Sequence, residues 1–193
     1  MNEPKTISEL MTLGMEECKK GNYNSAIIYL NKAIEIYPND ARFNIARARL
    51  KADQGNHEDA IEDYTKAIEI DPNNPYSYCF RGVAKIYKES IFNPFGSNIK
   101  TQSDWDDAFK NYKNSSDYQD AIEDVSKAIE LDPKNAEAFI QRGLVLVLNY
   151  KLPRGCVDLK TGKNLEPKGL TASWYNDLAD KGLQLSFCRK IYD

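Results

Sequence analysis

Apolar residues recur three and four places apart along most of this chain, which is the spacing of an amphipathic helix. The pattern is clearest in three segments, SAIIYLNKAIEIYP, DAIEDYTKAIEIDP and DAIEDVSKAIELDP. Each segment ends at a proline, which cannot continue a helix, so each is predicted to be a helix that stops just before that residue. The periodicity therefore predicts an all-α protein.

The three segments are copies of one repeat. Their first alanines are Ala26, Ala60 and Ala121, and the first two lie 34 residues apart. The third copy follows after one further period plus 27 extra residues, and a fainter fourth copy places Gly155 34 residues after Ala121. A period of this length indicates an array of stacked helix pairs, since one pair cannot bury its apolar stripe alone.

Helix boundaries follow from the periodicity and from capping residues. Thr6 and Glu9 form a capping box that predicts a first helix from residue 7. The predicted helices span residues 7–20, 24–37, 41–54, 57–70, 75–89, 117–131, 136–150 and 154–165, with a last helix at 172–190.

The repeat resembles the tetratricopeptide-repeat (TPR) family, which combines small residues at the helix contact, a turn glycine, an apolar residue and a closing proline. The matching residues are Gly14, Gly21, Ala26, Leu30, Ala33 and Pro38; Ala48, Gly55, Ala60, Tyr64, Ala67 and Pro72; Gly82, Ala121, Val125, Ala128 and Pro133; and Gly143, Leu159 and Pro167. Glycines Gly155 and Gly162 replace the two alanines of the fourth copy.

This resemblance implies one domain, residues 1–193, built as a right-handed α-solenoid of about four helix pairs. The repeats would span residues 7–40, 41–74, 75–135 and 136–168, the third split by an insertion at 88–116 and the fourth degenerate. A capping helix would follow at 171–190.

Three repeats carry an arginine in the first helix and an aspartate in the second: Arg47 with Asp63, Arg81 with Asp124, and Arg142 with Asp158. The first repeat has neither, carrying Leu13 and Tyr29 at these places. Because the two residues occur together, they are expected to form ion pairs within each helix pair. The alternative is that the arginines bind an acidic partner.

In the family the first helices line a concave surface, so their exposed positions are the candidate partner-binding residues. These are Met11, Met15, Arg42, Ile45, Arg49, Tyr76, Cys79, Phe80 and Val83. An apolar surface with methionines suits an adaptable binding site.

The family's clamp for the EEVD C-terminus of chaperones needs lysine and asparagine at places that hold Met11, Met15 and Ala46 here, and basic residues where Tyr76 and Phe80 stand. A chaperone C-terminus is therefore not expected as the ligand.

In the fourth repeat, residues 144–148 are all apolar, which is typical of a helix buried on every side. The residues on its predicted concave side, Ile140, Leu144 and Val147, therefore need a cover. The insertion carries spare aromatic residues that would seek burial. These are Phe92, Phe95, Trp105, Phe109 and Tyr112. One of them is expected to pack across this end of the groove, with a dimer contact or a disordered loop as alternatives.

The function predicted from these features is a non-catalytic scaffold or adaptor that binds a protein or peptide. The alternative is a self-assembling protein that forms a homodimer through the groove or the last helix. His57 is the only histidine, and no nucleophile–base pair, metal cluster or phosphate loop is apparent, so no enzyme, metal or cofactor is expected.

Composition and charge limit the kinds of partner and the cellular location that are expected for this protein. The net charge is −3, and acidic and basic residues are mixed along the chain, which argues against binding of nucleic acid. No apolar run is long enough to span a membrane. The four cysteines, Cys18, Cys79, Cys156 and Cys188, form no close pair in sequence. They are expected to be reduced thiols in a cytoplasmic protein.

Overall fold

A computed structural model describes residues 6–88, 116–148, 152–165, 179, 180 and 188. Within these ranges every regular element is a helix. The helices are α1 (Ile7–Lys19), α2 (Tyr23–Ile36), α3 (Ala41–Asp53), α4 (His57–Ile70), α5 (Pro75–Lys88), α6 (Ser116–Leu131), α7 (Ala136–Leu148) and α8 (Leu152–Asn164). Each matches a predicted helix with ends within two residues. The insertion's aromatics and most of the predicted last helix lie outside the described residues.

Local chemistry sets the helix ends as the sequence predicted. The backbone N–H of Glu9 donates to the Thr6 hydroxyl at 3.2 Å, and the Thr6 N–H donates to the Glu9 carboxylate at 3.1 Å. This reciprocal capping box satisfies two donors that the start of α1 would otherwise leave unpaired. Gly21 and Gly55 have φ of 78° and 83°, a left-handed conformation that lets the chain turn sharply from α1 to α2 and from α3 to α4.

The chain divides into two compact units, residues 1–77 and residues 78–193. The first unit contains α1 to α4 and the first turn of α5. Its core joins α1, α2 and α3 through Leu10, Leu30, Phe43 and Leu50, all of which are buried. Ala26 and Ala33 have no exposed surface, as expected where two helices approach closely.

The second unit is built around α7. The residues from Leu144 to Val147 are buried on every side of this helix, as its uniformly apolar sequence predicted. Val145 belongs to one cluster with Ile86 and Tyr118, whose hydroxyl donates to the Val145 carbonyl at 3.1 Å. Leu144 and Val147 belong to another, described below.

Glycines bring α7 and α8 unusually close. A Cβ atom added to Gly155 would lie 2.7 Å from the backbone nitrogen of Val147, and one on Gly162 would lie 2.8 Å from the Ala136 carbonyl oxygen. A Cβ on Gly143 would meet the Gly155 carbonyl at 2.9 Å. The alanine-to-glycine changes of the fourth repeat therefore tighten this helix pair, although its sequence departs from the repeat pattern.

No described helix combines the length and the apolar character that a membrane span requires. Whether the two units make one domain, as the sequence predicts, stays a prediction.

Candidate functional site

The three predicted ion pairs are present, and all three are bidentate. The guanidinium Nε and Nη2 atoms of Arg47 donate to Asp63 at 2.8 and 2.6 Å. The equivalent distances are 2.9 and 2.6 Å for Arg81 with Asp124, and 2.7 and 2.9 Å for Arg142 with Asp158. These arginines hold the two helices of a repeat in register, and the interpretation that they bind an acidic partner is wrong.

Two of the arginines also reach the preceding repeat, which the sequence analysis missed. Nη1 of Arg47 donates to Asn31 on α2 at 2.6 Å, and Nη1 of Arg142 donates to Ser126 on α6 at 3.4 Å. Asn31 and Ser126 occupy equivalent places in repeats 1 and 3. Each arginine therefore ties three helices together, using a polar residue that the repeat pattern itself could have revealed.

A lysine one turn after the arginine adds a second cation to two of the aspartates. Lys51 lies 2.9 Å from Asp63, and Lys85 lies 2.8 Å from Asp124. Burial opposes ionisation of Asp63, but the hydrogen bonds from Arg47 and Lys51 outweigh it and hold the pKa of this carboxyl below its ordinary value. Asp63 is thus a buried anion at neutral pH.

The candidate binding residues of the first unit are mostly accessible. Met15 on α1 is 54% exposed and Tyr76 at the start of α5 is 51% exposed. Arg49 is exposed, and Arg42 is exposed while pairing with Asp40 at 2.6 Å. Met11 and Ile45 are half-buried, and Met11 packs against the core of the first unit. We call these six residues the inner surface of the first unit, after the concave side on which the family resemblance predicts them.

Two groups near the ends of α1 and α3, Cys18 and Asp53, have raised pKa values. Burial raises the pKa of the Cys18 thiol on α1, and the negative charge of Asp53 on α3 raises it further. Burial also raises the pKa of Asp53, while the positive charge of Arg49 partly offsets that effect. Cys18, Asp53 and Arg49 therefore share one neighbourhood.

In the second unit the prediction of an open surface is wrong for Cys79. This residue is 1% exposed, because it packs against Val125 and Ala128 of α6 and Ala138 of α7. Phe80 and Val83 are half-buried. Helical spacing identified a face of α5 correctly but could not show that α7 covers part of it.

The apolar residues of the fourth repeat are covered as well. Ile140, Leu144 and Val147 form one buried cluster with Leu159 of α8 and with Ala179 and Cys188 near the C-terminus. Residues of the predicted capping helix thus supply part of the cover. The predicted contribution of Phe92, Phe95, Trp105 or Phe109 falls outside the described residues and stays a prediction.

The expectation of four reduced thiols is wrong for one pair. Cys156 and Cys188 are joined by a disulfide with their Cα atoms 5.6 Å apart, while Cys18 and Cys79 are free. The two partners lie 32 residues apart in sequence, so spacing alone gave no reason to pair them.

No group of three or more acidic, histidine or cysteine side chains in the described ranges is arranged to hold a metal ion.

Comparisons with known proteins agree with the repeat pattern. Residues 8–40 and 110–135 match the tetratricopeptide repeat, and residues 48–85 match the TPR repeat. No curated protein sequence gave a match.

Solved structures show the same fold. A crystal structure of MamA protein is similar over 96% of this chain and 85% of that one, with 20% identity and a TM-score of 0.62. MamA from Desulfovibrio magneticus is similar over 96% of each chain, with 14% identity and a TM-score of 0.60. At such identities the likeness shows the fold alone, and it confirms the predicted all-α TPR solenoid.

The TPR2B domain of yeast Sti1, solved in complex with pHsp70, is similar over 75% of this chain and 94% of that domain, with 25% identity and a TM-score of 0.51. The helix pairs, the repeated small residues at their contacts and the three family matches lead to one conclusion: the chain belongs to the tetratricopeptide-repeat family.

Proposed function

We propose that this protein is a non-catalytic interaction module that binds a partner protein or peptide on the inner surface of the first unit. The exposure of Met15 and Tyr76 is the observation that carries this proposal. Both are large side chains left more than half accessible, and both lie on the first helix of a repeat, whereas the equally exposed Ile28 lies on a second helix. Exposed apolar side chains grouped with polar neighbours are typical of protein-binding surfaces.

The chemistry of the surface suits a short peptide segment with apolar side chains. Met11 and Met15 are unbranched and polarisable, so they adapt to partner side chains of different shape. Tyr76 offers a rigid ring with a polar tip, which is a common anchor at interfaces. Arg42 and Arg49 add positive charge beside this apolar area, which favours a peptide with acidic flanks.

The Sti1 domain supports binding of a protein ligand by this fold, because that relative is solved in complex with pHsp70. We do not extend that ligand to this chain. The places that would grip a chaperone C-terminus hold Met11, Met15 and Ala46, which offer no cation to its carboxylates.

The proposal is tested by capture of partners with the purified protein of residues 1–193. We expect Arg49→Glu and Tyr76→Ala to retain at most a tenth of a partner that the wild type captures. A loss of about 1.4 kcal/mol at one interface anchor is enough for this change. Circular dichroism should show unchanged helical content, because both side chains are accessible.

Ile28→Ala is the matched control. Ile28 lies on α2 and is 57% exposed, so its replacement by alanine removes a comparable apolar area outside the inner surface. Equal capture by wild type, Arg49→Glu and Tyr76→Ala would place the binding surface elsewhere. If light scattering instead gives twice the monomer mass, and both variants restore the monomer, the surface serves self-assembly.

A further inference from the structure

The C-terminal part of the chain is attached to α8 by a covalent bond. Cys156 lies in the first half of α8, and its partner Cys188 follows 32 residues later in the sequence. Both cysteines have no exposed surface. A thiolate must approach a sulfur atom to exchange with it, so a reductant has no access while this region is folded.

Two further contacts hold the same part of the chain in place. Ala179 is fully buried in the cluster formed by Ile140, Leu144 and Val147. The next residue, Asp180, pairs with Lys163 at the end of α8. An apolar contact, an ion pair and the disulfide therefore act together, which indicates that the sulfur atoms meet because the fold positions them.

We propose that Cys156–Cys188 is a permanent structural crosslink, made as the protein folds in an oxidising compartment, and that it seals the apolar end of the repeat array. Cytosolic proteins are kept reduced, so a buried disulfide of this kind is typical of compartments outside the cytosol. This proposed compartment differs from the cytoplasmic location that the sequence suggested.

The chemistry requires an electron acceptor, and a thiol–disulfide oxidoreductase is the class that supplies it. Its disulfide exchanges with the Cys156 and Cys188 thiols, which lose two electrons and two protons as their S–S bond forms. The oxidoreductase is left as a dithiol. Cys79 does not compete, because burial and the nearby charge of Glu137 raise the pKa of its thiol and keep it protonated.

The first test maps the four thiols in protein taken from its native cells. Acid quenching, alkylation in denaturant, reduction and a second alkylating reagent of different mass distinguish free from bonded cysteines. We expect the first label on Cys18 and Cys79 and the second on Cys156 and Cys188. The first label on both Cys156 and Cys188 would overturn the proposal.

The second test asks whether the bond is structural, using the purified protein of residues 1–193. Dithiothreitol should reduce the folded protein at least about 100-fold more slowly than the denatured protein, because reduction requires local opening. After reduction of the disulfide, the Tm of the protein should fall by roughly 5–15 °C, as expected for loss of a crosslink that closes a loop of this size. Equal reduction rates, or an unchanged Tm, would contradict a structural role.

Cys156→Ala and Cys188→Ala should both show the lower Tm with or without reductant. Cys18→Ser is the control, since this thiol is free, and it should keep the full drop on reduction. A Tm that still responds to reductant in Cys156→Ala would show that another thiol is responsible. If either variant fails to fold, the thiol map of the wild type decides the question alone.

Discussion

At the scale of single residues, the buried aspartates decide how firmly each helix pair is held. Asp63 is almost fully buried and accepts hydrogen bonds from Arg47 and ion-pairs with Lys51. Asp63→Asn would leave two cations without their shared anion, so we expect it to lower the free energy of unfolding by about 3 kcal/mol. Urea titration followed by circular dichroism measures this change.

Glu130→Gln provides the comparison for that experiment. Glu130 pairs with Lys127 at 3.1 Å, but both side chains are largely exposed, so its loss should leave stability unchanged within error. A similar effect from the two substitutions would show that burial does not strengthen the Asp63 pairs.

The ionisation of Asp63 should also make the stability of the protein depend on pH. Because Arg47 and Lys51 hold the pKa of Asp63 below its unfolded value of about 3.8, the ionised carboxylate stabilises the folded state above that pH. This stabilisation is lost as the pH falls through the folded pKa. We therefore expect the wild type to lose more stability than Asp63→Asn between about pH 5 and pH 2. Parallel losses in the two proteins would assign acid unfolding to other carboxyl groups.

The arginine–aspartate pairs could be predicted because their presence and absence vary together among the four repeats. The contacts of Arg47 with Asn31 and of Arg142 with Ser126 were missed, since the partners differ in type. What they share is a polar side chain at one place in the repeat, which is visible only when consecutive repeats are aligned as neighbours.

At the scale of helices, the glycines are of two kinds: Gly14 has room for a side chain, whereas Gly155 lies against the backbone of the neighbouring helix. Alanine normally stabilises a helix interior relative to glycine by up to about 1 kcal/mol. Gly14→Ala on α1 should follow this rule, because its Cβ would lie 4.0 Å from the nearest atoms outside its own helix. Gly155→Ala should instead destabilise by about 1–3 kcal/mol, since its Cβ would meet the α7 backbone.

Thermal and urea unfolding of the two alanine variants would reveal this difference of sign. Stabilisation by Gly155→Ala would mean that α7 and α8 can separate without loss, which is incompatible with the close approach of their backbones.

The positions of the helices were predictable from proline, glycine and capping residues. The residues that pack against each helix face were not. The period of α5 correctly placed Cys79 on one face, yet only the packing of Ala138 against it shows that this part of the face is closed. Likewise, nothing near Cys156 in sequence indicated Cys188. Contacts between distant segments depend on the stacking of helices, which a repeat pattern implies only in outline.

At the scale of the whole molecule, the sequence predicts one domain although the chain forms two compact units. If neighbouring repeats stabilise one another strongly, both units should unfold in a single transition. Asp63→Asn in the first unit and Gly155→Ala in the second should then shift the same calorimetric peak. Two peaks, each shifted by only one of the substitutions, would show that the units are independent domains.

The backward contact of Arg47 has a consequence for anyone who wishes to build with this protein. The second helix pair carries an arginine that bonds to the pair before it, and it has a hydroxyl, that of Thr65, at the place equivalent to Asn31. A second copy of residues 41–74, inserted after residue 40, would direct its arginine to Asn31 and present its Thr65 hydroxyl to the original Arg47. Ser126 already serves Arg142 with a hydroxyl in this way. The length of the array therefore becomes adjustable in whole modules of 34 residues.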